Sequence, residues 1–402
     1  MTPLDWILLV ATTFAAVYWL AALACIAAFA RGRAPTAHGA PPVSILKPLR
    51  GDDGHLYENL RSVCTQDYPA FEVLCGVRSP RDPATAVVER LAGELGHVDL
   101  RLVVDDQVIG ANEKVSNVAN LARRARHDVL IVADDDIHVD EGYIRSVVAA
   151  LEDPTVGLVT CLYDGVAGAG LASTLMAMYI NEWFLPAALV GTRVEPLRHA
   201  FGATMACRRD TLHAVGGFEA LADNLADDYW LGRLVSDLGL RVALSPFIVH
   251  NVVQEGSLRA LAQHELRWAR TFRALRPVSY LLALTTHGIP LSLAWLALGG
   301  GVPAEIAAAA HVGLRVFGRA AVHRCLGRPP VWREAWLVPV RDVATFAIAV
   351  TSFFGRTVRW NGERLRVRHG GRIEVTADLA GAGDVVRGPA AARLEGKWPE
   401  PS

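Results

Sequence analysis

The chain has no C-x-x-C pair and no surplus of charge. Its six cysteines, Cys25, Cys64, Cys75, Cys161, Cys207 and Cys325, are scattered without metal-ligand spacing. That pattern excludes a zinc module or a disulfide framework and reads as reduced, partly buried thiols on the cytosolic side of a membrane. A formal net charge of -1 leaves no electrostatic footprint for nucleic acid as a partner. From Trp6 to Ala30 there is no charged residue. As a helix this stretch is about 37 Å long, enough to cross a hydrocarbon core of ~30 Å. The only charged side chain before it is Asp5, which argues for an uncleaved span rather than a signal peptide. Arg31 and Arg33 come directly after it, so the positive-inside rule puts the C-terminal end of the span and the domain beyond it in the cytosol.

Apolar residues are abundant. They make up 52% of 402 residues, and mean hydropathy is +0.26, both pointing to the membrane class. Three further apolar stretches lie near the far end: Val278–Leu298, interrupted by His287 and Pro290; Val302–Phe317; and Ala335–Phe354, which carries Arg341 and Asp342. Such charges are costly in a membrane unless they meet each other or a site. The tail is basic, with Arg356, Arg359, Arg364, Arg366 and Arg368. A cytosolic tail requires an even number of C-terminal crossings, so one of the three stretches is re-entrant or interfacial. The expected organisation is an anchor over 1–32, a soluble domain over 41–277, a transmembrane or interfacial region over 278–356, and a tail over 357–402 that becomes disordered after about Thr376.

Within 41–277 short apolar runs alternate with amphipathic stretches. Val43–Leu49, Phe71–Val77, Leu100–Val104 and Val129–Ala133 read as strands, and Leu56–Cys64, Ala84–Leu95 and Asn112–Arg124 as helices. This alternation predicts an α/β domain with a mostly parallel sheet covered on both faces. Ligands bind such sheets beyond the carboxyl ends of the strands.

Four features lie at those ends. Asp134-Asp135-Asp136 follows the fourth strand; the D-x-D spacing turns Asp134 and Asp136 the same way and suits a divalent ion shared with phosphates, or else merely caps a helix. Gly110 to Asn117 opens a helix with Asn112 and Lys114, an anion site or simply a turn and a cap. Asp227 and Asp228 begin another helix beside Tyr229 and Trp230, which suits a base next to a sugar-binding surface. His264 to Trp268 places Arg267 and Trp268 on a helix that could bind diphosphate or lie at a bilayer surface. The apolar stretch Leu171–Leu189 reads either as an interfacial helix guiding a lipid or as a core helix.

In this order and spacing the features resemble the ceramide glucosyltransferase family, the family-21 inverting glycosyltransferases of GT-A fold. The resemblance runs from Val43 to Gly371. It includes Ser44-Ile-Leu-Lys-Pro-Leu49, Asp67-Tyr-Pro69, Gly202-Ala-Thr-Met-Ala206, Gly216-Gly-Phe218 and the tail from Arg359 to Arg366. Leu158–Tyr163 and Asn181–Pro186 are similar to a bacterial branch that glycosylates hopanoid polyols. The implied fold is a GT-A (nucleotide-diphospho-sugar transferase, Rossmann-like) domain flanked by transmembrane helices, a multi-pass protein of a bacterial inner membrane. The implied partners are a UDP-sugar donor and a lipid acceptor, with Mg2+ or Mn2+ as cofactor. Asp134 and Asp136 would hold the metal and the donor diphosphate. Asp228 would be the general base, beside Asp227. Arg267 and Trp268 match the closing pair of the family's Q/R-x-x-R-W motif. Lys114, Asn112, Gly110, Asp82 and His264 would bind the donor. Two positions depart: the family's first aspartate falls on Arg81, next to Asp82, and the motif's opening Gln or Arg is His264, an imidazole charged only part of the time. Other readings are a processive polysaccharide synthase, which shares fold and motif, and a catalytically inactive membrane scaffold.

Overall fold

The computed structural model describes residues 2–32, 38–360 and 362–375. Arg33, Asn361 and the segment after Val375 lie outside the described residues. The chain opens with helix α1 (Pro3–Ala30), started by Pro3 and a reciprocal cap between Thr2 and Asp5. Then come β1 (Val43–Pro48), α2 (Leu56–Cys64), β2 (Phe71–Val77), α3 (Pro83–Glu94), β3 (Asp99–Val104), α4 (Glu113–Arg124) and β4 (Val129–Val132). Every residue of β1 and β4 is buried, as expected of strands covered on both faces. Asp82 and Asn112 cap α3 and α4 with their side chains, which sets where each helix begins.

The second half adds β5 (Ile137–His138), α5 (Tyr143–Leu151), β6 (Val156–Ala167), α6 (Gly170–Tyr179), α7 (Leu185–Val194), β7 (Met205–Arg208), α8 (Arg209–Ala214), α9 (Asp227–Asp237), β8 (Arg241–Val253) and α10 (Leu258–Leu275). The eight strands form one sheet in the order β3-β2-β1-β4-β7-β6-β8-β5. It is mostly parallel, as expected, with two reversed strands. β7 runs antiparallel to both β4 and β6, and β5 antiparallel to β8. The short returns that bring β5 and β7 into the sheet cannot be read from apolar runs, because an antiparallel partner needs no crossover helix. β1 lies between β2 and β4, so the crevice beyond its carboxyl end is a topological switch point.

The C-terminal part comprises α11 (Pro277–Ala283), α12 (Gly288–Ala297), α13 (Gly301–Cys325) and α14 (Leu337–Ser352), followed by β9 (Thr357–Trp360), β10 (Glu363–Val367) and β11 (Ile373–Val375). Among the described residues one helix, α1, is long and apolar enough to cross a membrane. A second span exists only if Pro277–Thr286 and Gly288–Ala297, bent by 64° at His287, count as one. The described residues thus give one span, or two with the bent pair, and the other expected flanking helices do not pass by length and composition. α14 has 16 residues, about 24 Å and too short for a ~30 Å core. The Val302–Phe317 stretch belongs to α13, which carries Glu305, Arg315 and Arg319.

Arg341 and Asp342 do not meet each other. Asp342 takes a two-pronged ion pair from Arg315, at 2.7 Å on each oxygen, and the indole N–H of Trp183 at 2.9 Å. Arg341 lies 2.7 Å from Glu265 of α10. All four charged groups are buried. The basic segment after Arg356 is a three-stranded sheet, and Leu225, Val358, Leu365, Val367 and Ile373 pack beneath it. All six cysteines are free, four of them buried.

Candidate active site

A cavity of about 680 Å³ opens beyond the carboxyl ends of β1 and β4. Asp134, Asp135 and Asp136 line it directly after β4. Their backbone is held from behind. The buried ammonium of Lys47 on β1 donates to the Asp134 carbonyl, Asn59 donates to the Asp135 carbonyl at 3.2 Å, and Val252 N–H to the Asp136 carbonyl at 2.9 Å. With the main chain fixed, the carboxylates are presented to the cavity. Burial, followed by repulsion from Asp134, raises Asp135 to about 6 and Asp136 to about 7.

Lys114, in the first turn of α4, reaches the same place. Its Nζ lies 2.7 Å from Asp134 Oδ1 and 3.5 Å from Asp227 Oδ2. Burial pulls its pKa down, but Asp134, Asp227 and Asp228 outweigh this and hold it above the ordinary lysine value. Gly202 comes between the walls: a Cβ there would lie 3.4 Å from Asp134 Oδ2, 3.4 Å from Asp228 Oδ2 and 3.8 Å from Lys114 Nζ. Asp228 is raised to about 7 by burial and by Asp227. Asp227 is raised by burial too, with Lys114 opposing.

A divalent cation fits this chemistry. Asp136 Oδ1 is buried with no hydrogen-bond partner, and the carboxylates in the pocket outnumber its cations. Among the described residues no three His, Cys, Asp or Glu side chains converge to enclose an ion by themselves. A two-carboxylate site completed by water and phosphate is the arrangement expected of Mg2+ or Mn2+.

Arg267, on α10, faces the cavity. Its guanidinium makes no hydrogen bond or ion pair with any described residue. Burial lowers its pKa to about 10 while Tyr163 and Asp134 hold it up, so it stays cationic at neutral pH. Trp268 also lines the cavity and packs on Tyr179, with ring centres 5.9 Å apart. His264 Nδ1 lies 2.7 Å from Glu255 Oε1, and its ring meets Trp268 edge-on at 4.7 Å. Burial lowers the His264 pKa, with Glu255 opposing, which favours the neutral imidazole in the lining.

Asp82 is in the lining. Its Oδ1 accepts from Gly51 N–H at 2.8 Å and Ala84 N–H at 3.0 Å. Arg81, Asn112 and Gly110 are not in the lining. Asn112 is used up locally, accepting from Val115 N–H at 3.1 Å and donating to the Asn224 carbonyl at 2.7 Å. Gly110 permits close backbone approach, since a Cβ there would meet Ala222 at 2.6 Å. Both make the local contacts of the turn-and-cap alternative.

Apart from Tyr229, sequence reasoning missed a wall of rings. Tyr163 stacks on Phe184 at 4.6 Å, Phe184 meets Phe201 edge-on at 5.7 Å, and His199 joins Phe201 at 5.4 Å and Tyr229 at 5.7 Å. All five line the cavity. Burial lowers His199 to about 4, so it is neutral. A π-helical turn at Ile180–Phe184 separates α6 from α7 and resets the helix phase just before Phe184, so helical periodicity does not forecast where that ring points.

The model of Glycosyl transferase family 21 matches residues 6–373. Ceramide glucosyltransferase 3 of Caenorhabditis elegans is 26% identical over 238 residues, covering 59% of this chain and 52% of that protein. Ceramide glucosyltransferase 1 of the same organism is 23% identical over 354 residues, covering 84% of this chain and 74% of that one. The chain therefore spans about half the length of the first relative and about three-quarters of the second. Among solved structures, the mannosyltransferase PcManGT from Pyrobaculum calidifontis in complex with GDP-Man and Mn2+ superposes with a TM-score of 0.56 at 18% identity, over 87% of this chain and 99% of that one. That likeness is one of fold, the mixed α/β GT-A architecture. With its acidic loop, its lysine and its helix-borne arginine gathered at one switch point, and with the family model matching residues 6–373, the chain belongs to glycosyl transferase family 21.

Proposed function

We propose that the protein transfers a hexosyl group, glucose or N-acetylglucosamine, from a UDP-sugar to the hydroxyl of a membrane lipid, a ceramide or a hopanoid polyol, with inversion. The observation that carries this reading is the meeting of Asp228, Asp134 and Lys114 around Gly202 in one cavity. Two relatives are named ceramide glucosyltransferases, and the solved neighbour is in complex with a nucleotide sugar and Mn2+.

Asp134 and Asp136 would hold the metal, which, when bound, supplies positive charge to the donor diphosphate. Lys114 and Arg267 add charge on the same side. Asp228 accepts the proton of the lipid hydroxyl as its oxygen bonds to the anomeric carbon. The bond from that carbon to the phosphate oxygen breaks, and its electron pair leaves with UDP. One displacement inverts the centre. Asp227 is a positioning residue, tied to Lys114 at 3.5 Å. Trp268 and the ring wall offer faces for sugar and lipid. α1 anchors the protein, with the catalytic domain on the cytosolic side of a bacterial inner membrane.

The test is product formation by detergent-solubilised protein, read by mass spectrometry. UDP-glucose and UDP-N-acetylglucosamine are each offered with ceramide and with a hopanoid polyol, and Asp228→Asn is the blank. A glycolipid made only by the unmodified protein supports the reading and names both substrates. UDP-sugar binding without any glycolipid sinks it in favour of a polymer product, and no binding at all favours an inactive scaffold.

A further inference from the structure

Leu171–Leu189 is mostly a core segment, although Met176 and Phe184 line the cavity. Ala172, Met176, Met178, Ile180, Leu185 and Leu189 are buried, and α6 is a core helix. The exposed apolar surface beside the cavity lies elsewhere. Phe272 of α10 both lines the cavity and is 42% exposed. Just beyond it Val278, Leu281 and Leu282 of α11 are 70%, 55% and 61% exposed, and α11 buries no residue at all. Tyr280 of the same helix packs on Phe353 at 5.7 Å, and the adjoining Phe354 is 74% exposed.

We propose that this edge, Phe272 with α11 and Phe354, is the portal through which the hydrocarbon tail of a long-chain lipid alcohol lies in the bilayer while its hydroxyl reaches Asp228. The proposal rests on the reading of the protein as a lipid glycosyltransferase and adds the entry route. Three observations carry it. The cavity is continuous from Asp228 to Phe272 and Leu275. No Asp, Glu, Lys or Arg occurs from Pro277 to Ala304. Three arginines at the rim are already engaged, while Arg356 stays exposed: Arg270 and Arg273 donate to carbonyls of Phe353–Thr357, and Arg276 pairs with Glu195 at 2.8 Å. The mouth therefore presents apolar surface, which suits a hydrocarbon chain.

The test uses the full chain in phosphatidylcholine nanodiscs with a diazirine-tailed octadecanol as probe. After irradiation, adducts should concentrate between Phe272 and Leu282. Val278→Asp with Leu281→Asp should lower them about tenfold, the scale expected for a charge set against lipid, while Leu293→Asp on the exposed face of α12 leaves them unchanged. Val278→Trp with Leu281→Trp, which fills the mouth without charge, should act in the same direction if the aspartate pair disturbs folding. Adducts spread evenly over the exposed faces of α1, α12 and α13, adducts that survive both double variants, or crosslinks between two copies of the chain would overturn the portal. Sugar transfer to a soluble hexyl acceptor is read in parallel. Transfer with spread adducts refutes the portal alone, and concentrated adducts without transfer refute the transfer reading alone.

Discussion

Asp134 and Asp228, far apart in sequence, converge on one point: a methyl group on Gly202 would sit 3.4 Å from Asp134 Oδ2 and 3.4 Å from Asp228 Oδ2. These are ordinary contacts, so Gly202→Ala should fold. The methyl nevertheless occupies the space between the metal-side carboxylate and the proposed base. Turnover should fall about 100-fold, the usual cost of a small misplacement of reacting groups, with the melting temperature nearly unchanged. Unchanged turnover would remove this gap from the reaction path.

Asp228→Asn should lower turnover by about 10² to 10⁴-fold, the contribution of a positioned base, with UDP-sugar affinity kept. Asp228 is held at about 7 by burial and Asp227, and a base must be unprotonated. Turnover should therefore rise with pH through about 7 and level off above it. A flat profile from pH 5 to 9 would assign the limiting proton elsewhere.

Arg267 and Lys114 should fail differently. Arg267 pairs with no other described residue, so Arg267→Ala should weaken UDP-sugar binding by about tenfold or more while leaving stability intact. Lys114→Ala strands Asp134 and Asp227 and should lower both donor affinity and melting temperature. Calorimetric titration beside thermal melts separates the two. Equal stability losses would place Arg267 in the scaffold.

Burial favours the neutral form of His264, which lies within hydrogen-bond distance of Glu255, so the expected contribution is a polar contact rather than charge. His264→Gln should keep turnover within about threefold, since a neutral donor replaces a neutral donor. A larger loss would give the imidazole a role of its own.

Arg315 is the hub between α13, α14 and the π-helical turn, and its guanidinium also lies 3.6 Å from the centre of the Trp19 ring. Arg315→Ala leaves Asp342 buried and uncompensated and should cost about 3 to 5 kcal/mol. Arg315→Met with Asp342→Leu removes both charges and should cost less. A thermal-melt series that ranks the double variant below the single one would contradict this account.

Much of the first half was legible. β1, β2, β3 and β4 lie within a residue or so of the apolar runs, because strands buried on both faces are nearly continuous in Val, Ile and Leu. Asp134–Asp136, Lys114 and Asp228 were legible as polar groups at element ends, and Arg267 as part of an Arg-Trp pair on a helix. The ring wall was not. β6 shifts register against β8 between Cys161 and Leu162, just before Tyr163, and the π-helical turn intervenes before Phe184. Both break the fixed period on which side-chain direction is inferred. The C-terminal helices misled for a related reason: composition marked them apolar, but length, a bend and the buried charge pairs decide which of them can span.

By itself the sequence determined the local elements and the chemical types at their ends, since apolar period and capping are properties of neighbouring residues. Tertiary structure alone decided the partners. It set Lys114 against Asp134, sent Arg341 to Glu265 rather than to Asp342, and tied the Asn112 side chain to the Asn224 carbonyl. These are long-range pairings fixed by where the sheet order and helix packing bring distant segments together, and no local pattern encodes that distance.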